Sequence, residues 1–197
     1  MPTDNDRLGS KLALRRHFLT RWHAGGDARV LDCCQGDGVI WRRLRGEFRV
    51  ASYWGLDIKP KKGRVQIQSE RLLVQPGWTQ DVIDVDTYGS PWKHWLGVLA
   101  NMGPAAAVFL TLGVLGPLLN NQDTAAMDAI GLRFSRRLPI GIGRRLADYI
   151  TMAMLALPLR RGLRIVECME GVEGTHARYF GIRLERMPAE SREGANT

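Results

Sequence analysis

The stretch RVLDCCQGDGVIW, from Arg29 to Trp41, constrains this chain more than any other. A short apolar run ends in an acid, the turn after it holds Gly36 and Gly38, and Val39 to Leu44 reads as the start of a helix. A strand, a glycine turn and a helix start aim backbone N–H groups and the positive end of the helix dipole at an anionic or polar ligand group. The glycines permit close approach because they carry no side chain. A dinucleotide fingerprint needs a third glycine after two intervening residues. Trp41 stands in that place, and its indole argues against a pyrophosphate of the NAD type.

The rest of the chain continues the alternation. Leu12, Leu14, His17, Phe18, Arg21 and Trp22 fall at spacings of three and four and predict a first helix, closed by Gly25 and Gly26. Val50 to Asp57 predicts a second strand, followed by a basic loop through Lys59, Lys61 and Lys62. Arg64 to Gln68 predicts a third, with Ser69 and Glu70 opening a short helix. Asp81 to Asp86 and Ala105 to Leu112 are the fourth and fifth. Strands separated by helical stretches predict a doubly wound α/β fold with helices on both faces of a parallel sheet.

The end of the chain changes style. A helix over Arg144 to Leu157 precedes two strands, Arg164 to Met169 and Ala177 to Arg186, joined by a turn from Glu170 to Gly174. So short a link makes them antiparallel, since a parallel return needs a crossover of about a dozen residues or more. The expected organisation is one domain over residues 1–187, its sheet mostly parallel with a C-terminal antiparallel hairpin, and a flexible tail over 188–197. Residues 113–143, with a bend from Pro139 to Gly143, form a long link at the carboxyl end of the sheet, where open α/β folds bind ligands. That link reads as a structural flap or as a substrate-recognition insertion.

Charge and cysteine content narrow the class. The net charge of +8 favours an anionic partner, with nucleic acid the first candidate. Arginines and lysines cluster at Arg42-Arg43-Arg45, Lys59-Lys61-Lys62-Arg64 and Arg133-Arg136-Arg137, suiting phosphate contacts or a solvated basic surface. Cys33, Cys34 and Cys168 make no disulfide framework and fit a reducing compartment. The four histidines are scattered, so no metal site is expected. The polar N-terminus is unlike a signal peptide. Trp95 to Gln122 carries no charge, yet Asn101, Pro104 and Pro117 interrupt it, and it reads as a buried strand between helix ends, not as a membrane span. The expectation is a soluble cytoplasmic protein.

Val30-Leu31-Asp32-Cys33-Cys34-Gln35-Gly36-Asp37-Gly38 resembles the first motif of the class I S-adenosylmethionine-dependent methyltransferases. The resemblance implies a Rossmann-like doubly wound sheet with S-adenosyl-L-methionine as cofactor. Asp32 would then orient the glycine turn and the methionine moiety, with Gly36 and Gly38 lining the cofactor. Cys34 stands where many members have glycine, as in nucleic-acid amino-methyltransferases with a larger residue there. Asp57 ends the second strand roughly 20 residues beyond the turn, a distance at which a carboxylate accepts both hydroxyls of a ribose. Ser69 sits where such enzymes often contact the adenine. Lys11 is placed to reach the cofactor carboxylate or to lie exposed.

The run Asp84-Val85-Asp86-Thr87-Tyr88-Gly89-Ser90-Pro91-Trp92 is similar to motif IV of the amino-methyltransferases, closest to the D-x-D-P-Y/F-G-S-P of tRNA guanine-amine dimethyltransferases, with Thr87 in place of the proline. An acid at a strand end can accept a hydrogen bond from a substrate amine, and an aromatic beside it offers a stacking face. Asp86 and Tyr88 are therefore the candidate catalytic pair, whereas Asp84 reads as support for the strand end. Thr87, Ser90, Pro91, Trp92, Arg133 and Arg136 are candidate substrate contacts. The leading expectation is methyl transfer to an exocyclic amine of a nucleic-acid base. Methylation of a small molecule or a protein, and a non-catalytic nucleic-acid-binding protein with a degenerate pocket, are the alternatives. The sequence is silent on oligomeric state.

Overall fold

The computed structural model describes residues 8–59, 65–87, 89–113, 124–132, 140–171 and 177–188. In chain order the elements are α1 (Leu8–Trp22), β1 (Arg29–Asp32), α2 (Val39–Glu47), β2 (Ser52–Asp57), β3 (Val65–Gln66), α3 (Ser69–Leu73), β4 (Val82–Val85), α4 (Trp92–Asn101), β5 (Ala105–Gly113), α5 (Thr124–Ala129), α6 (Ile140–Arg160), β6 (Leu163–Gly171) and β7 (Ala177–Arg186). The strands form one sheet in the order β3-β2-β1-β4-β5-β7-β6. The first five are parallel, and β7 lies antiparallel between β5 and β6. The expected parallel sheet with a closing hairpin is what the chain forms.

Side chains alternate across the sheet with a period of two. Val30, Val82, Ala107 and Phe109 turn to the face covered by α1 and α2, where they meet Leu12, Phe18, Trp41 and Leu44. Leu31, Ile83, Val85, Val108 and Leu110 turn to the other face, under α4, α5 and α6, against Trp92, Trp95, Met127 and Met154. The uncharged stretch after Trp95 runs through the end of α4 into β5, which is buried along nearly its whole length. Among the described residues no helix is long and apolar enough to cross a membrane.

Two boundaries differ from the sequence reading. The bend expected at Pro139 to Gly143 falls largely within α6, which begins at Ile140 instead of Arg144. Each glycine in that stretch weakens a helix by only about 1 kcal/mol relative to alanine, too little to end one that continues for another four turns. The hairpin strand β6 also runs on to Gly171, through residues read as turn. In the long link after β5, α5 packs Ala126 and Met127 into the core. Most of the remaining link and of the tail from 189 onward lie outside the described residues.

The strand order reverses between β1 and β4, since β2 and β3 extend to one side and β4 and β5 to the other. A crevice therefore opens at the carboxyl ends of β1 and β4, the place where doubly wound sheets hold ligands.

Candidate active site

The turn after β1 is shaped by its own backbone. Gly36 (φ +51°) and Gly38 (φ +63°) are left-handed, a conformation glycine adopts without strain. The Gly38 amide donates to the Gln35 carbonyl at 2.7 Å, and the Gln35 amide to the Leu56 carbonyl of β2 at 2.8 Å. Asp57 is fixed by two backbone donors: the Gly36 amide at 2.9 Å on Oδ2 and the Lys59 amide at 2.9 Å on Oδ1. Asp32 is buried and accepts from the Tyr53 hydroxyl at 2.8 Å. Burial, reinforced by the neighbouring Asp84, pushes the Asp32 carboxyl well above its ordinary value.

The end of β4 carries the densest electrostatics. Asp32, Asp84 and Asp86 share strand parity with Val30 and Val82, so all three face α1 and α2. Arg15 of α1 forks onto Asp84, Nε to Oδ2 at 2.7 Å and Nη2 to Oδ1 at 2.5 Å, and the Trp41 indole donates to Oδ2 at 2.6 Å. One helical turn earlier, Lys11 Nζ lies 2.8 Å from both carboxylate oxygens of Asp86. Burial alone raises the Asp86 carboxyl, but Lys11, Arg15 and a hydrogen bond from Thr111 outweigh it and hold the group below its ordinary value. Lys11 is 2% exposed, so of its two sequence readings the exposed one is corrected. Arg15 is a site residue that the sequence reading passed over, and Lys11 one whose pairing with Asp86 it did not foresee. A usable signal was present: residues four apart on a helix are separated by about 6 Å, and residues two apart on a strand by about 6.6 Å, so two cations match two acids.

The segment after Asp86 is tied to β5. The Thr87 hydroxyl donates to the Thr111 carbonyl at 3.3 Å, and the Gly113 amide to the Gly89 carbonyl at 2.9 Å. A tertiary hydrogen bond thus stands where the resembled motif has proline. Ser90 Oγ accepts from the Trp92 amide at 3.3 Å.

On the adjoining side, the Ser69 hydroxyl donates to the Cys33 carbonyl at 2.8 Å and lies 2.9 Å from His94 Nε2. With its one proton given to a carbonyl, Ser69 accepts from His94, which fixes that tautomer. Burial lowers the His94 imidazole and keeps it neutral. Nothing in the sequence flagged His94. Burial raises the Cys33 and Cys34 thiols, so neither is an activated nucleophile.

These groups converge on a cavity of about 780 Å³. Asp32, Cys34, Gly36, Gly38, Asp57 and Ser69 line it, and so do Asp86, Thr87 and Ser90. Trp92, a candidate substrate contact, is instead a fully buried core residue, and Pro91 beside it is buried too. Tyr88, Arg133 and Arg136 lie outside the described residues. Volumes of 300–1,000 Å³ accept small-molecule ligands. Asp84 and Asp86 are each matched by a buried cation, and the anchored Asp57 suits a diol.

Strand order, switch-point cavity and antiparallel β7 together define a Rossmann-like methyltransferase fold. No family model and no curated protein matches the chain. Among solved structures, Trm1 from Pyrococcus horikoshii in complex with S-adenosyl-L-methionine is similar, with a TM-score of 0.64 at 16% identity over 98% of this chain and 58% of that one. TYW2 from M. jannaschii, in complex with AdoMet, gives 0.52 at 9% identity over 82% and 70%. The N-methyltransferase NodS from Bradyrhizobium japonicum, in complex with S-adenosyl-l-homocysteine, gives 0.51 at 10% over 94% and 88%. This chain thus spans little more than half the length of the Trm1 chain it matches.

Proposed function

We propose that the protein is an S-adenosylmethionine-dependent N-methyltransferase acting on an exocyclic amine of a nucleic-acid base. The observation that carries this reading is the shared cavity, lined by the glycine turn, by Asp57 and by Asp86. The cofactor fits the donor set: Gly36 and Gly38 beside the methionine moiety, Asp57 on the ribose hydroxyls, Ser69 near the adenine, and the Asp86 carboxylate at the reacting end. When bound, S-adenosylmethionine supplies an electrophilic methyl group, so the chain has only to bind, orient and accept a proton.

Asp86 accepts a hydrogen bond from the substrate amine and aims its lone pair, and Tyr88 stacks on the base. After transfer the nitrogen holds one proton too many, which leaves through Asp86 to solvent. A base in a duplex must first be flipped out, so unpaired targets are favoured. Support for a polymer substrate comes from the charge of +8 and from exposed cations, Lys59 on the cavity lining and Arg42 and Arg43 on α2. Residues 113–143, with Arg133 and Arg136, serve as the recognition segment of this reading.

Transfer of a labelled methyl group to DNA, tRNA, rRNA and a metabolite pool tests the proposal. Incorporation into a polymer that drops about 10²-fold or more in Asp86→Asn, with S-adenosylhomocysteine affinity retained, is the expected result. Transfer to metabolites alone rejects the substrate class, and equal loss of turnover and cofactor affinity rejects the role of Asp86.

A further inference from the structure

Resting on the methyl-transfer reading, we propose that Lys11 is the positioning residue of the reaction: its ammonium pins both oxygens of Asp86 and so sets how that acid meets the acceptor amine. Lys11 borders the cavity yet is almost wholly covered. Its side chain is 3% exposed, beneath an Asp86 side chain that is 19% exposed on the cavity. The ammonium also lies 5.1 Å from the Tyr179 ring of β7, a cation–π contact that holds it from below.

The hydrogen-bond inventory explains the role. A carboxylate offers about four acceptor positions. Lys11 takes one on each oxygen and the Thr111 hydroxyl engages the same carboxylate, which leaves the cavity-facing side for a ligand. An Asp86 without Lys11 would keep only the Thr111 hydrogen bond and lose the contact that fixes both of its oxygens. It would also face Asp32 and Asp84 in a buried setting with only Arg15 to offset them. The groups around it are Lys11 and Arg15 on α1, Asp84 on β4, Asp32 and Cys34 at the end of β1, and Thr111 on β5. Of the two cations, Arg15 is already committed to Asp84, so Lys11 is the partner that keeps Asp86 an acceptor. A protonated Asp86 would present a donor to the amine and turn its lone pair away from the methyl group.

The test compares wild type, Lys11→Met and Lys11→Arg across acidic to alkaline pH. Two readouts are followed: methyl transfer, and the carboxyl-carbon resonance of Asp86, which needs no substrate. Lys11→Met should move the acid limb of the transfer profile upward, lowering the rate about tenfold or more near neutral pH with recovery in alkali. The Asp86 resonance should titrate at correspondingly higher pH, and Lys11→Arg should restore both. Should Lys11→Met not fold, Lys11→Gln carries the same expectation. A pH-independent loss of activity, or an Asp86 resonance that titrates as in wild type, overturns the positioning role. Absence of transfer by the wild type overturns the methyl-transfer reading instead, and the resonance separates the two failures.

Discussion

The carboxyl ends of β1 and β4 and the β6–β7 hairpin both carry paired acids and bases, and they use them in opposite ways. At the first, Arg15 and Asp84 are sealed from water, and Lys11 lies buried behind Asp86. On the hairpin, Arg164–Glu185 and Arg178–Glu170 have equally short contacts of 2.6 Å but lie at the surface. Taking charges out of water is costly, so a buried pair persists only with its geometry complete, and removing one member strands the other. An exposed pair is hydrated with or without its partner. Contact distance therefore says little about what a pair does, and burial says most of it. The buried set fixes the acids at the crevice, while the exposed set keeps the hairpin solvated.

Asp84→Ala breaks this contrast hardest. It leaves the Arg15 guanidinium and the Trp41 indole N–H without their acceptor. Urea denaturation should show a loss of about 3–5 kcal/mol. A loss below about 1 kcal/mol would place the buried set in the same class as the hairpin.

Asp32→Asn sharpens the contrast through pH. The folded Asp32 carboxyl is raised by burial and by Asp84, so its contribution to stability is full below the ordinary carboxylate range and declines as pH rises toward the raised value. Asparagine has no proton to lose. The variant's melting temperature should therefore gain on the wild type from acid to neutral pH, and a constant gap would contradict the burial argument. The smallest effect belongs to Arg164→Ala on the hairpin, within about 0–1 kcal/mol in the same denaturation experiment.

Much of the frame was legible in the sequence because it depends on local signals. Apolar runs ending in Asp32, Asp57 and Asp86 mark successive strand ends, and a short link between two strands forces the antiparallel β7. The glycine turn needs Gly36 and Gly38 whatever packs above it. What escaped the reading depends on partners far along the chain. Lys11 and Arg15 look like the polar face of a helix until the acids of β4 are laid opposite them. Trp41 reads as a missing glycine, and its indole turns out to close the bonding of Asp84. Thr87 reads as a lost proline, and its hydroxyl finds a carbonyl on β5. Ser69 was legible as a cavity residue, but its link to His94 joins two helices that the sequence separates.

The placement of α1 also bears on the order of assembly. Its two cations meet acids that lie 69 and 75 positions further along the chain. Seating the helix before β4 has joined β1 would bury both charges without a counterion, which makes docking of α1 after that pairing the less costly order. Such a long closure is entropically slow. A chain shortened before β4 would hold the glycine turn but no finished crevice, because Asp84 and Asp86 would be missing from it.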